Sequence, residues 1–337
     1  MINITVRSEK EDKRIPIAVA SDVMSDIQLL LSHIGESLIS DELGSYGRPS
    51  EALTGRFTLF IDPESGGISF KASAGKGKST LMDKAVALLS ATLEKMGSGS
   101  GTYWMEDAFR DPRYRCLVLG DLIRLSNHMD TERGYSLMLN DNGKESKFIP
   151  MDIEKAQAFL NGNGKMAVGT VHGVLHSARS KRNIPMYSFA AGAGRAKITF
   201  LSKDAENDAS EHANGAVVVT GTLRYSDDRE LLDVSGADNI IPFTKRSFSH
   251  MISADRDIPL AAPVESKISY DIGTMTWKLT YPDLGITASN TDWDTAVAEF
   301  HDYFVFLCDN YSEKDDNELS EEEKEVKDTL RTLTGAE

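Results

Sequence analysis

The sequence predicts a multi-domain α+β fold: an N-terminal ββα-ββα sandwich, a central five-stranded barrel and a C-terminal strand–strand–helix unit closed by an acidic helix. Three observations carry that reading. Over the first hundred residues, two strand-like runs followed by a helical run occur twice, a pattern that suits helices on one face of an antiparallel sheet. Residues 166–243 hold five strand-like runs with one short helical run between the third and the fourth, the order of a closed Greek-key barrel. The chain has 337 residues, more than one core usually serves. Units are therefore expected at 1–96, 102–162, 165–243 and 264–337.

In the first unit, Ile2–Val6 and Arg14–Ala18 alternate as strands. Asp22–Ile39 then sets Val23, Ile27, Leu30, Leu31, Ile34 and Leu38 along one helical face. Arg56–Ile61 and Gly67–Lys71 read as a hairpin across Pro63-Glu64-Ser65-Gly66. Thr80–Met96 reads as a helix through Leu81, Ala85, Leu88, Leu89 and Leu93. Gly97-Ser98-Gly99-Ser100-Gly101 is a flexible break. In the connector that follows, Pro112 opens an amphipathic helix, Tyr114–Met129, because proline suits a first helical turn. Gly134–Asn140 and Ser146–Met151 flank Asp141-Asn142-Gly143, and Asn-Gly takes the positive φ values of a tight hairpin turn. A short helix, Asp152–Leu160, leads to the barrel region.

The barrel runs are Val168–Ser177, Ile184–Phe189, Ala196–Leu201, Gly215–Tyr225 and Leu231–Pro242, with Asp204–Ala213 as the helical insert. Thr244–Val264, with two prolines and mixed charge, reads as a linker. Strands Lys267–Asp271, Thr274–Thr280 and Gly285–Ala288 follow. Helix Asp292–Cys308 places Trp293, Val297, Phe300, Phe304 and Leu307 at helical spacing. Ser320-Glu321-Glu322-Glu323 fits a capping box opening a last helix that buries Val326, Leu330 and Leu333.

At 40% hydrophobic and 26% charged residues, the chain has the composition of an ordinary folded protein, not of a disordered one. Its start lacks a basic stretch leading into a long apolar one, and no apolar run nears the ~20 residues of a bilayer span. Cys116 and Cys308 lie far apart in apolar helical patterns, as free thiols of a reducing compartment do. The expectation is a cytoplasmic protein without membrane contact. The net charge of −15 is uneven: residues 291–337 carry 15 acidic against 4 basic side chains, whereas residues 165–245 carry 9 against 10. An acidic whole repels polyanions, and the segregation lightens that penalty over the barrel region.

Gly75-Lys76-Gly77-Lys78-Ser79-Thr80, between a strand and a helix, invites comparison with a phosphate-cradling loop. Ala72 stands where the first glycine belongs, the preceding strand belongs to a hairpin, and no later strand ends in an Asp placed for magnesium. A solvated turn into a Ser-capped helix accounts for the same residues. His172 and His176 share one face of a strand, yet no Cys, Asp or third His lies at ligand spacing, so no metal site is expected. The other histidines are scattered, and no nucleophile–base motif is present. No catalytic residue and no cofactor are expected.

The barrel region carries the more useful signal. Gly169-Thr170-Val171-His172-Gly173-Val174-Leu175 and Val217-Val218-Val219-Thr220-Gly221-Thr222-Leu223-Arg224-Tyr225 each hold a mid-strand glycine, where a small barrel bends to close. Over roughly 80 residues this resembles OB-fold proteins, in which a Val-x-Gly-x-Leu strand coils around the barrel. The resemblance implies a ligand groove on the second and third strands and on the loop joining the first two. That loop, Ser177-Ala178-Arg179-Ser180-Lys181-Arg182-Asn183, is the most basic of the region. Arg179, Lys181, Arg182, Arg195, Lys197 and Arg224 would neutralise phosphates, and Tyr187 would stack a base; a solvated hairpin tip and core aromatics would use the same residues.

Near the C-terminus, Trp277-Lys278-Leu279-Thr280-Tyr281-Pro282-Asp283-Leu284-Gly285-Ile286-Thr287-Ala288 precedes Asp292-Trp293-Asp294-Thr295-Ala296-Val297. Strand, Tyr-Pro-Asp-Leu, strand and helix resemble, over about 40 residues, the partner-binding domain of HicB-type antitoxins, without that family's DNA-binding extension. The resemblance implies a module set against a partner protein, and the acidic last helix would suit a basic one. The sequence thus favours a non-catalytic binding or regulatory protein that contacts single-stranded nucleic acid through its barrel and a basic protein through its tail. A nucleotide-dependent enzyme using residues 72–80 and a protein-only scaffold are the alternatives.

Overall fold

The computed structural model describes residues 2–9, 14–62, 69–72, 80–96, 101–129, 134–141, 144–162, 166–179, 185–192, 194–226, 228–254 and 256–335. The fold is mixed α+β and divides into two compact units, residues 1–38 with 50–167, and residues 39–49 with 168–337.

The first unit is built on a five-stranded antiparallel sheet, ordered β2-β3-β1-β4-β5, from β1 (Ile2–Ser8), β2 (Leu59–Asp62), β3 (Ser69–Ala72), β4 (Tyr135–Asp141) and β5 (Lys144–Lys147). The long helix α1 (Ile17–Leu43) supplies Val23, Ile27, Leu30, Leu31 and Ile34 to its core, all fully buried. A short α2 (Glu51–Thr54) precedes the hairpin. Helix α3 (Thr80–Met96) adds Leu81, Ala85, Leu89 and Leu93, and α4 (Gly101–Ala108) adds Met105. Helix α5 (Pro112–His128) starts as its sequence dictates: Pro112 sits at the first turn and the Asp111 carboxylate accepts the Arg113 N–H at 2.9 Å. Helix α6 (Ile153–Gly162) closes the unit.

Two readings of this region are corrected. Arg14–Ala18 is no strand. Residues 14–16 are irregular and α1 begins at Ile17, because Pro16 cannot donate to a ladder, while its carbonyl accepts the Ala20 N–H at 3.1 Å and starts the helix. And α1 is, by length and composition, apolar enough to cross a membrane, the one such helix among the described residues. The buried positions just named show that its apolar face packs as a core helix packs.

In the second unit, β6 (Met166–Arg179), β7 (Pro185–Ala191), β8 (Gly194–Phe200), β9 (Gly215–Tyr225) and β10 (Leu231–Pro242) form a closed barrel ordered β10-β8-β7-β6-β9, with α7 (Lys203–Glu211) between β8 and β9. β8 and β10 run parallel and the other registered pairs antiparallel, an arrangement compatible with an OB-type barrel. Leu175, Phe189, Ala196, Ile198, Val217, Val219, Leu223 and Val234 fill the interior. Gly173 is required where β6 coils: a Cβ there would lie 2.4 Å from the Ala190 carbonyl oxygen and 2.6 Å from the Phe189 ring.

The stretch expected as a linker, Thr244–Val264, is instead sheet. β11 (Lys245–Ile252) pairs with β12 (Asp257–Asp271), which continues through β13 (Thr276–Tyr281) to β14 (Ile286–Asn290). The prolines misled because proline is excluded only where a strand must donate on both sides. Here β13 pairs only with Lys267–Asp271, so Pro259 and Pro263 lie on a one-sided stretch. Helices α8 (Trp293–Tyr311) and α9 (Glu321–Thr334) complete the unit. Trp293, Val297, Phe300 and Phe304 are fully buried, and the Ser320–Glu323 capping box is formed. Leu330 and Leu333 are buried and Val326 half-buried.

Residues 39–49 strap the barrel and sheet together. Gly44, at φ +63°, ends α1, and the Ser45 N–H returns to the Ser40 carbonyl at 3.1 Å, a Schellman closure. The orphaned carbonyls of Asp41 and Glu42 accept from the Arg246 guanidinium at 2.8 and 2.9 Å. Opposite Ser249 the β11–β12 register shifts, and the backbone N–H groups of Ser249 and His250 both donate to the Glu42 carboxylate. Farther on, the Trp293 indole donates to the Gly44 carbonyl, the Tyr46 hydroxyl to the His172 carbonyl, and the Tyr46 and Gly47 N–H groups to Asp294.

Candidate nucleic-acid interface

The barrel's outer face is fixed by strand register. Residues paired across neighbouring strands share a face, and successive residues alternate. His176 pairs with Ser188, Ser188 with Lys197, Lys197 with Asp233, and Asp233 with Arg224. The residues one step along, Leu175, Phe189, Ala196, Val234 and Leu223, are the buried interior. The row therefore points outward across all five strands. Arg195, two residues before Lys197 and paired with Ala190, projects from the same side.

Arg195, Lys197 and Arg224 are all exposed on this face. His176 is half-buried, and burial together with the nearby Arg195 charge pushes its pKa below the ordinary histidine value, so it is neutral at pH 7. Asp233 is the counter-charge. Burial alone would raise its pKa, but hydrogen bonds from the Ser235 hydroxyl at 2.8 Å and from Arg224 Nε at 2.6 Å outweigh that and lower it. Arg224 is thereby tied down, while Arg195 and Lys197 reach outward.

Of the other residues expected at the site, Arg179 ends β6, and its side chain lies outside the described residues, as do Lys181 and Arg182. Tyr187 is brought elsewhere. It is half-buried on the Phe189 side of β7, its ring packed edge-on against Phe200 at 5.2 Å and against the barrel core. The alternation Tyr187-Phe189-Ala191 already carried that parity. His176, Ser188 and Asp233, which sequence reasoning did not place at the site, join it only through cross-strand register.

The remaining candidates lead elsewhere. His172 shares a side of β6 with His176 but is buried among Tyr46, Phe243 and Trp293, with ring centroids 4.8, 4.4 and 4.7 Å away. Ser249, His250 and Glu42 come together, with Ser249 Oγ 3.1 Å from His250 Nδ1 and 2.8 Å from Glu42 Oε2. Acyl transfer needs the hydroxyl on one ring nitrogen and the acid on the other. Here both lie on the Nδ1 side, and the carboxylate is occupied by backbone N–H groups, so the cluster anchors the strap. The loop Gly75–Ser79 lies outside the described residues.

No protein family, curated protein or solved structure matches this chain, so the HicB-type likeness near the C-terminus gains no support from a match.

Proposed function

We propose that the protein is a non-catalytic, regulatory binder of single-stranded nucleic acid, with the outer face of β7, β8, β10 and β9 as its contact surface. The observation that carries this reading is the register that gathers Arg195, Lys197 and Arg224 on one outward face of a closed barrel. The strand order supports an OB-like identity for the barrel. In that fold the groove lies on the second and third strands and the loop joining the first two, here β7, β8 and the basic stretch holding Lys181 and Arg182. With Tyr187 turned inward, affinity rests on phosphate contacts and carries little sequence preference.

Three to six cations imply a slope of log affinity against log salt of roughly −2 to −4 on single strands. Fluorescence anisotropy with a labelled oligo-dT and an oligo-U of equal length tests it. Arg195→Ala with Lys197→Ala should weaken binding by about tenfold at low salt and flatten the slope by about 1.4. No binding by the wild type at low salt, or an unchanged slope in the double variant, would reject the reading.

A further inference from the structure

We propose that the outward face of α8 is a docking surface for a basic protein segment, an arginine of which seats on the Tyr303–Phe306 ring pair. The face is separate from the barrel row and does not rest on the nucleic-acid reading. Helix α8 turns Ala296, Val297, Phe300, Phe304 and Leu307 into its unit, and the opposite stripe runs through Glu299, Asp302, Tyr303, Phe306 and Asp309. Tyr303 is 43% and Phe306 53% exposed. Their i,i+3 spacing makes them neighbours, and the rings lie nearly parallel, 11° apart with centroids at 6.0 Å. Two stacked aromatics left in water mark a contact surface more readily than scattered apolar residues do.

Charge selects the partner. Along its 19 residues α8 carries Asp294, Glu299, Asp302 and Asp309 and no Lys or Arg. Asp309 is offset by its ion pair with Arg256, whereas Glu299 accepts only from the uncharged Asn290 side-chain amide at 3.1 Å and so keeps its charge on this flank. Residues 291–337 add to it, with 15 acids against 4 bases. A nucleic acid is repelled by such a surface. A second copy docking face to face would set the same carboxylates against each other. A basic segment meets both features at once, since a guanidinium stacks on ring faces while the carboxylates neutralise it. The same helix already ends in such a contact: Lys314 Nζ lies 5.4 Å from the Tyr311 ring centroid.

The test titrates the full chain with labelled nona-arginine and nona-lysine peptides, followed by anisotropy, with sedimentation of the protein alone. Nona-arginine should bind at least fivefold tighter than nona-lysine. Tyr303→Ser with Phe306→Ser should abolish that preference at unchanged melting temperature, and Glu299→Gln with Asp302→Asn should weaken both peptides alike. Should the double aromatic variant melt early, Phe306→Ser alone must still narrow the preference. Equal affinities for the two peptides, or a preference that survives loss of the rings, would overturn the proposal. So would a wild-type dimer that the ring variant converts to monomer, since the occupant would then be a second copy.

Discussion

Glu42 keeps its charge in a site that has shed most of its water. Burial alone would raise its pKa, yet hydrogen bonds from His250 and Ser249 overturn that and bring it down to about 2. His301, fully buried, is held neutral with its pKa lowered to about 3, burial outweighing the raising effect of the Glu42 charge while the Arg246 charge lowers it further. Its Nδ1 accepts the Ile252 N–H at 2.9 Å, which leaves the proton on Nε2. Both pKa values are depressed, so for each group the unfolded chain takes up a proton before the native one does. Stability is therefore full above the unfolded value and lost as pH falls towards the folded one. For His301 the loss runs from about 6.5 to about 3, and for Glu42 from about 4.5 to about 2. Urea midpoints measured from pH 7 to 4.5 should decline in the wild type, and His301→Gln should flatten that limb while lowering stability at pH 7 by about 1–3 kcal/mol. A variant limb as steep as the wild type's would show that another group carries the dependence. Glu42→Gln should cost about 3 kcal/mol at pH 7, the worth of its pKa depression. Asp233→Asn, on the barrel face, should strengthen oligonucleotide binding several-fold by releasing Arg224, where Arg224→Ala weakens it.

Most of the legible elements carry local signals. The capping box at Ser320, Pro112 opening α5 and the five barrel strands with their insert all stand in the structure. Apart from Arg14–Ala18, where Pro16 was a local sign against a strand, what escaped depends on partners distant in sequence. β11 and the first half of β12 look like a linker until the single-sided pairing that tolerates Pro259 and Pro263 is known. The candidate site divides the same way. Arg195, Lys197 and Arg224 are basic residues in strands and were found as such, whereas Asp233 enters by a parallel pairing that no local pattern encodes. Gly173 joins the two levels, since its place mid-strand is visible in sequence and its reason is the Ala190 carbonyl against it. Gly173→Ala should destabilise the protein by about 2–3 kcal/mol through forced displacement of that backbone. Gly194→Ala, where a Cβ meets nothing within 4 Å, is the control and should stay within about 0.5 kcal/mol. Denaturant unfolding followed by circular dichroism separates the two, and equal losses would remove the closure argument.

At the scale of the whole molecule, the chain order does not match the folding units. Residues 39–49 belong with residues 168–337, although more than a hundred residues of the other unit intervene. The strap is held mainly by polar contacts: two N–H groups on Glu42, two carbonyls on Arg246, two N–H groups on Asp294, and the Trp293 and Tyr46 bonds. Hydrogen bonds to charged groups contribute about 1.5–3 kcal/mol each, and a domain's net stability is only about 5–15 kcal/mol. Removing the strap also leaves Glu42's two donors and the Asp294 carboxylate without those partners and uncovers the Tyr46 side of the His172–Phe243–Trp293 stack. A fragment of residues 168–337 should therefore unfold without a sharp urea transition and show red-shifted fluorescence from Trp277 and Trp293, the two of the chain's three tryptophans it retains. Joining residues 39–49 to its start through a flexible Gly/Ser linker should restore both the cooperativity and the blue emission. Carrying Glu42→Gln in that strap should undo part of the rescue, because the contact is made by charge and geometry and not by bulk. A bare fragment that already unfolds sharply, with native emission, would mean that the barrel and its sheet hold together without the strap.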